Sequence, residues 1–294
     1  MPTGTWPSSK GKVTYKAPYV VKKGTVFDGG MKTYERSDIT CTEGEGGKAD
    51  AVFLVEPGAT LKNVIIGKNQ KEGVHCEQHD CKIENVWWDD VCEDALSIKG
   101  GSSSSVSTVT GGGARYASDK VIQQNGPGKV TIDGFYAYDF GKLYRSCGTC
   151  GNIPRQVSVS NVLAVNPKVS VITVNKNYGD KATLKNVKVV TTSKKPICQW
   201  SQGGSSPKNL GDGPSGTLCQ YSTSDVYITK EARDSDVEIE VSSSTDEYAG
   251  QEEEDEYNVE TEAPTTDDEY PEELPGNATE PDATKKTGCK TKKD

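Results

Sequence analysis

A short apolar–polar motif recurs along the body of the chain, and an Asn or Gly follows each copy where the chain would bend. Its central apolar residues are Leu61, Ile83, Ile132, Val159 and Leu184. Successive copies are separated by 22, 49, 27 and 25 residues, and we interpret Val121-Ile122 as a missing copy within the double gap. Short strands that repeat every 22–27 residues are typical of a solenoid. The pattern therefore predicts an all-β fold, a right-handed single-stranded parallel β-helix.

Local patterns refine this prediction. Helical periodicity with caps is absent from the sequence. Residues 15–27 predict one strand that ends in a glycine turn, and the Gly- and Ser-rich segment 100–113 predicts a flexible loop between coils. Four motif copies carry an asparagine at the bend, which we interpret as a stacked ladder of turn residues. These are Asn63, Asn85, Asn161 and Asn186.

Charge divides the chain into two parts. The formal net charge is -9, yet residues 241–294 alone carry 17 acids against five lysines, so the remainder has 29 bases against 26 acids. The hydrophobic content of 33% is low for a helical bundle and tolerable for a turn-rich β fold. We expect a β-helix domain over 1–233 and a disordered, low-complexity acidic tail over 234–294. A mildly basic body suits an anionic ligand.

Nine cysteines indicate an oxidising compartment, and hence a secreted protein. Eight of them lie in the body and are enough to pair fully, whereas Cys289 is alone in the tail. Zinc is the competing interpretation for Cys147 and Cys150, which have ligand spacing, but no second CxxC pair or neighbouring histidine completes a site. No apolar run is long enough to span a membrane, and no signal peptide is visible, so we expect a mature domain whose leader was removed.

The densest chemistry falls in and around residues 73–100. In a β-helix, residues one coil apart stack on the same face, and Glu72 precedes Glu93 by 21 residues. Glu72, Glu93 and Asp94 would then form an oxygen-rich cluster of the kind that calcium prefers. The alternative interpretation leaves Glu72 as a simple loop acid.

Basic residues follow one coil further along. Lys120 and Lys142 are 22 residues apart, and Arg145 comes three residues later. Isolated Lys and Arg side chains are usually solvated surface groups. A cluster of them beside a carboxylate cluster is less common than isolated surface cations. His75 and His79 are expected to be structural or solvent-exposed.

Several long motifs carry a family resemblance. They are GGMKTYERSDITC, EGGKADAVFLVEPGATLKNVIIG, EGVHC, CKIENVWWDDVCEDALSIKG, VTGGGARYASDKVIQQNG and IDGFYAYDFGKLYRSCG. Over residues 4–229 the chain resembles the pectate lyases of polysaccharide lyase family 3. The resemblance implies a secreted, calcium-dependent β-helix enzyme that cleaves polygalacturonate by β-elimination.

The resemblance also implies roles for individual residues. Glu93 and Asp94 in VCEDA match the metal-binding pair of the family, and Glu72 stands where some members have the shorter Asp. Lys120 in SDK matches the proposed catalytic base. Lys142 in GKLYR matches the substrate-binding lysine, and Arg145 matches the arginine that binds the substrate and stabilises the transition state.

This chemistry leads to further expectations. A lysine base must be neutral, so either burial and nearby cations lower its pKa from about 10.4 or the enzyme works at alkaline pH. We expect an alkaline optimum and loss of activity on replacing Lys120 by Ala. We expect polygalacturonate as the partner, without nucleic acid or membrane, and a monomer. Two alternatives stay open. One is a galacturonan hydrolase that uses a pair of carboxylates. The other is a non-catalytic β-helix that binds pectin.

Overall fold

The computed structural model describes residues 1–230. The predicted tail with Cys289 and the predicted domain end at 233 lie outside the described residues. Within them the chain forms a parallel β-solenoid, so the predicted all-β parallel β-helix is confirmed.

Nineteen strands and two short 3-10 segments make up the described part of the chain. The first ten strands are β1 (Lys12–Tyr15), β2 (Tyr19–Val21), β3 (Val26–Arg36), β4 (Ala51–Val55), β5 (Thr60–Ile66), β6 (Glu72–Cys76), β7 (Lys82–Trp88), β8 (Asp94–Ile98), β9 (Val106–Thr110) and β10 (Gly113–Arg115). The others are β11 (Lys120–Gln124), β12 (Gly128–Asp133), β13 (Tyr136–Ser146), β14 (Arg155–Asn175), β15 (Lys181–Val190), β16 (Cys198–Gln202), β17 (Lys208–Asp212), β18 (Cys219–Gln220) and β19 (Val226–Thr229). The 3-10 segments are Lys48–Asp50 and Lys176–Tyr178.

The repeated motif forms one continuous column of inward side chains. Leu61 is in register with Ile83, and further along Ile132 with Val159 and Val159 with Leu184. The residue that fills the double gap is Val109, which pairs with both Ile83 and Ile132. The interpretation of Val121-Ile122 as the missing copy is therefore wrong. Those two residues lie on β11, which pairs with β8 on a different side of the solenoid.

Part of the expected loop at 100–113 is consequently a strand. Val106–Thr110 forms β9 between β7 and β12, and Val109 is only 1% exposed. The sequence of β9 looks like a loop because only one side of the strand faces the core, and most of its other residues are polar. Residues 15–27 also differ from expectation, since β1, β2 and the beginning of β3 share them and β3 runs through the glycines.

Three faces of parallel strands surround the core. The first contains β9 and β12, the second contains β10 and the beginning of β13, and the third contains β6, β8, β11 and the end of β13. The bend from the first face to the second needs a left-handed backbone, which Asn and Gly adopt more easily than other residues. All four predicted asparagines have φ of 52–53°.

These asparagines form the expected ladder, in two short runs. Asn85 Nδ2 donates to Asn63 Oδ1 at 2.9 Å, and Asn186 Nδ2 donates to Asn161 Oδ1 at 2.7 Å. Between the two runs the same bend is made by glycines, with φ of 65° at Gly111. The ladder satisfies side-chain amides at each turn and holds successive coils in register.

Four disulfides join all eight cysteines of the body, as expected. They are Cys41–Cys92, Cys76–Cys81, Cys147–Cys150 and Cys198–Cys219. Because the CxxC pair is oxidised to a disulfide, it has no thiolates to offer zinc. Within residues 1–230 there is no helix of the length and apolarity that membrane crossing requires.

Candidate active site

One column of charged residues runs across the third face, with one member from each of four successive strands. Glu72 on β6 is in register with Asp94 on β8. Asp94 is in register with Lys120 on β11, and Lys120 with Lys142 on β13. Neighbouring parallel strands lie about 4.8 Å apart, so the register alone brings acids and bases from distant parts of the sequence together.

The three predicted metal ligands lie together at the acidic end of this column. One carboxylate oxygen from each of Glu72, Glu93 and Asp94 lies within 4.8 Å of the others. Glu72 and Asp94 are buried at 3% and 4% exposure, while Glu93 is half-buried in the turn before β8. Asp94 Oδ1 is buried and accepts no hydrogen bond from any described residue, so it retains a lone pair for a ligand.

The three carboxylates are close enough to influence one another's ionisation. Burial raises the pKa of Asp94 to about 8, and the nearby carboxylates add to the rise against the charge of Lys120. Burial also raises the pKa of Glu93. Burial opposes ionisation of Glu72 too, but the hydrogen bond and charge of His75 keep its pKa below the ordinary value. An oxygen-only, electron-rich set of this kind fits calcium.

Lys120 lies between the acidic cluster and Lys142. Its Nζ is 3.2 Å from Glu93 Oε1, 3.4 Å from Asp94 Oδ1 and 2.9 Å from Asp119 Oδ2. Burial lowers the pKa of Lys120, but the charge of Asp94 and the contacts with the other acids outweigh burial and hold it above its ordinary value. The surrounding acids therefore favour the charged form, opposite to what a base requires.

Asp119 was not singled out from the sequence, although it is the residue that joins the two lysines. Its second oxygen, Oδ1, accepts a hydrogen bond from Lys142 Nζ at 2.5 Å. Burial raises the pKa of Asp119, but the two lysines lower it by more. Its position next to Lys120 in the SDK motif was the only available sign.

Arg145 lies on the same strand as Lys142 and one coil beyond Gln123. Its guanidinium donates to Ser201 Oγ at 3.2 Å. Burial lowers the pKa of Arg145, yet arginine remains protonated in proteins. Lys120, Lys142 and Arg145 line one cavity of about 340 Å³, and Asp119 lines both this cavity and a neighbouring one of about 420 Å³ beside Glu93.

Two other supports of the acidic cluster were missed. His75 is fully buried, and its Nε2 lies 2.8 Å from Glu72 Oε2. The predicted structural role fits this contact, but the sequence did not connect the histidine to Glu72. The second support is the 41–47 segment, where a Cβ added to Gly46 would lie 2.7 Å from Glu72 Cγ. The Cys41–Cys92 disulfide ties this segment to the residue before Glu93.

Fold and site together define a β-helical protein whose third face combines a carboxylate cluster with a basic groove. Comparison with known proteins makes this specific. The pectate lyase family model matches residues 3–207. The chain therefore belongs to the pectate lyase family, and the resemblance noted from its motifs is confirmed.

Curated relatives and solved structures agree with this assignment. A probable pectate lyase D of Neosartorya fischeri is 51% identical over 220 residues, which cover 74% of this chain and 89% of that protein. Pectate lyase E of Emericella nidulans is 52% identical over 222 residues, which cover 74% of this chain and 84% of that protein. Both the expected enzyme class, a polysaccharide lyase, and cleavage of pectate are confirmed.

Among solved structures, the catalytic domain of pectate lyase PelI from Erwinia chrysanthemi is 30% identical with a TM-score of 0.63, over 74% of this chain and all of that chain. The PelI complex with tetragalacturonic acid is 30% identical with a TM-score of 0.62, over 72% of this chain and 71% of that chain.

Proposed function

We propose that this enzyme is a secreted, calcium-dependent lyase that cleaves α-1,4-polygalacturonate by β-elimination and releases 4,5-unsaturated products. The observation that carries the proposal is the column Glu72–Asp94–Lys120–Lys142, with Arg145 beside it, because it combines a cation site with a basic groove. The two-carboxylate mechanism of a glycoside hydrolase assigns no catalytic role to these three cations, so the basic set favours the lyase. Four disulfides support an oxidising, extracellular environment.

In this proposal calcium binds to Glu72, Glu93 and Asp94. When bound, it would offset their charge and that of the substrate carboxylate, which acidifies the neighbouring C5 proton. The unused lone pair of buried Asp94 Oδ1 and the closeness of the three carboxylates support this assignment. His75 fixes the orientation of Glu72 by its hydrogen bond.

The remaining steps are assigned to the basic residues. Arg145 is planar and always charged, so it suits bidentate binding of a uronate carboxylate and stabilises the negative charge that develops there. Lys142 binds a further carboxylate along the groove. Lys120, in its neutral form, takes the C5 proton. The C5–H electrons form the C4–C5 double bond, the C4–O bond breaks, and the departing oxygen takes a proton from solvent, to which Lys120 later releases the proton that it removed.

The expected substrate and conditions follow from these roles. A polyanionic chain such as polygalacturonate matches the cations that line the groove. Because Lys120 must be neutral and the described acids favour its charged form, we keep the expectation of an alkaline optimum.

The test follows the ultraviolet absorbance of unsaturated products on polygalacturonate, with added calcium or chelator. We expect absorbance to rise with calcium, to stop with chelator, and to fall at least about a thousandfold in turnover for Lys120→Ala, at the scale of general-base catalysis. Near-normal turnover in that variant would move the base to Arg145. Reducing ends without absorbance would indicate a hydrolase, and binding without products a non-catalytic protein.

A further inference from the structure

A second cavity lies on the outer side of the second face and shares no lining residue with the basic groove. It has a volume of about 260 Å³. Its lining residues are Gly4, Trp6, Arg115, Tyr116, Tyr136 and Tyr138. Arg115 is the last residue of β10, which pairs with β7 and with the beginning of β13. The charged column uses β11 and the end of β13 instead, so the proposed catalytic residues do not line this cavity.

Aromatic rings form most of its wall. Trp6, in the N-terminal segment, packs edge-on against Trp87 with ring centroids 4.8 Å apart, and it approaches Tyr136 at 6.2 Å. On the other side, Tyr116 and Tyr138 meet edge to face at 5.9 Å. These two tyrosines remain 45% and 37% exposed. Exposed rings around a concavity are a recurring feature of ligand sites.

The polar groups of this cavity have unused hydrogen-bonding capacity. Among residues 1–230, the hydroxyls of Tyr116, Tyr136 and Tyr138 make no hydrogen bond with the protein. A tyrosine hydroxyl both donates and accepts, so the three groups can serve a ligand that carries several hydroxyls of its own.

The charge of the cavity is already balanced. The Arg115 guanidinium is ion-paired with the Asp89 carboxylate, and its Nε donates to the Asp89 carbonyl at 3.0 Å. The same guanidinium lies 4.4 Å from the Trp6 ring centre and 5.4 Å from that of Tyr116. Arg115 therefore braces the aromatic wall, and little net positive charge remains for an anion. The catalytic groove differs because, among the described residues, Arg145 there contacts Ser201 and makes no salt bridge with a carboxylate.

Tyr116 is one of ten non-glycine residues with a left-handed backbone among residues 1–230. Tyr116 has φ of 65°, a left-handed conformation that is unfavourable for a bulky side chain. Such strain persists where the surroundings hold it and clusters at ligand-binding positions. The Tyr116 ring packs against both Tyr138 and Arg115.

We propose that this cavity is a second saccharide site that binds one neutral sugar ring. The apolar face of the ring would stack on Tyr116 or Tyr138, and its hydroxyls would bond the three tyrosine hydroxyls. The balanced pair Arg115–Asp89 favours a neutral sugar over a uronate. Binding there requires no turnover and is independent of the lyase mechanism proposed above.

The test compares two ligands that differ only at C6, methyl α-galactopyranoside and methyl α-galactopyranuronoside. Titrations with the full chain, without calcium, are followed by ligand-observed saturation-transfer NMR. We expect saturable, millimolar binding of the neutral ligand. The Tyr116→Ala/Tyr138→Ala double variant should weaken it about tenfold or more, because it removes the stacking ring, which contributes a factor of roughly two to ten, together with two of the three hydroxyl partners.

Two controls make the result decisive. Tyr227→Ala removes another exposed tyrosine, 52% exposed on β19, and should leave binding unchanged. Tyr138→Phe keeps the ring but removes one hydroxyl, so it should weaken binding severalfold even if the double variant fails to fold. No binding of the neutral ligand, or equal binding by Tyr138→Phe and the parent, overturns the proposal. Tighter tyrosine-dependent binding of the uronide overturns the neutral-sugar assignment.

Discussion

Arg155 is a fully buried cation inside the solenoid, and replacing it should be costly. The residue has 0% exposure at the beginning of β14. Its guanidinium donates to the carbonyl of Asn125 at 2.6 and 3.0 Å, of Ile153 at 3.0 Å and of Cys147 at 3.3 Å. The Cys147 carbonyl also accepts from Asn175 Nδ2 at 3.1 Å, so the carbonyls of Asn125 and Ile153, in two successive turns, depend most on this side chain. Burial lowers the pKa of Arg155, which remains charged.

The variant Arg155→Met keeps most of the apolar stem and removes the guanidinium. Each buried carbonyl left without a donor costs about 1–3 kcal/mol. Part of this is recovered because the buried cation no longer has to be desolvated, so we expect a net loss of about 2–4 kcal/mol in unfolding free energy. Urea unfolding followed by circular dichroism measures the loss.

A matched control sits on the neighbouring strand. Lys129 on β12 is exposed and pairs with the residue after Arg155, so Lys129→Met removes a cation from the surface and should change the free energy by less than about 0.5 kcal/mol. If Arg155→Met stays within about 1 kcal/mol of the parent, water or rearranged backbone satisfies the carbonyls and the reasoning fails.

Two further outcomes follow from the geometry. Gly46→Ala places a methyl group 2.7 Å from Glu72 Cγ, so calcium affinity measured by calorimetry should fall severalfold. The control Gly47→Ala, whose added methyl group has its nearest neighbour at 3.9 Å, should not change the affinity. Equal affinities of the two variants would exclude the 41–47 segment as a support of the acidic cluster. Asn85→Ala removes the hydrogen bond to Asn63 and leaves an alanine at φ of 52°. Thermal unfolding should therefore show that the free energy of unfolding falls by about 1–2 kcal/mol. An unchanged melting temperature would mean that the ladder does not stabilise the bend.

The sequence predicted the parallel β-helix because its inward positions repeat with little variation. It failed at Val109, where a single apolar residue in a Ser- and Gly-rich stretch completes the column between Ile83 and Ile132. A strand that buries one side chain per coil leaves a periodic trace too faint to separate from a loop.

The charged column could be anticipated from spacing, since Lys120 and Lys142 are one coil apart and lie in register. Its supports could not. His75 reaches Glu72 through a contact three residues away, and Gly46 reaches the same side chain from a segment outside the repeat. Neither has a spacing that marks it, because side chains three residues apart on a strand such as β6 nominally point to opposite faces, and the repeat does not predict where the 41–47 segment lies.

The parallel register of the third face also fixes the distance between the acidic and basic ends of the charged column. Glu72 and Lys142 are separated by three strand spacings, or about 14 Å, and this separation is set by backbone hydrogen bonds. Turns between coils can lengthen or shorten without altering it, whereas one residue inserted within β8 or β11 would move the following side chains to the opposite face. Changes in sequence and loop length are therefore expected at the rim of the groove. The distance from the acids to the bases stays a whole number of strand spacings.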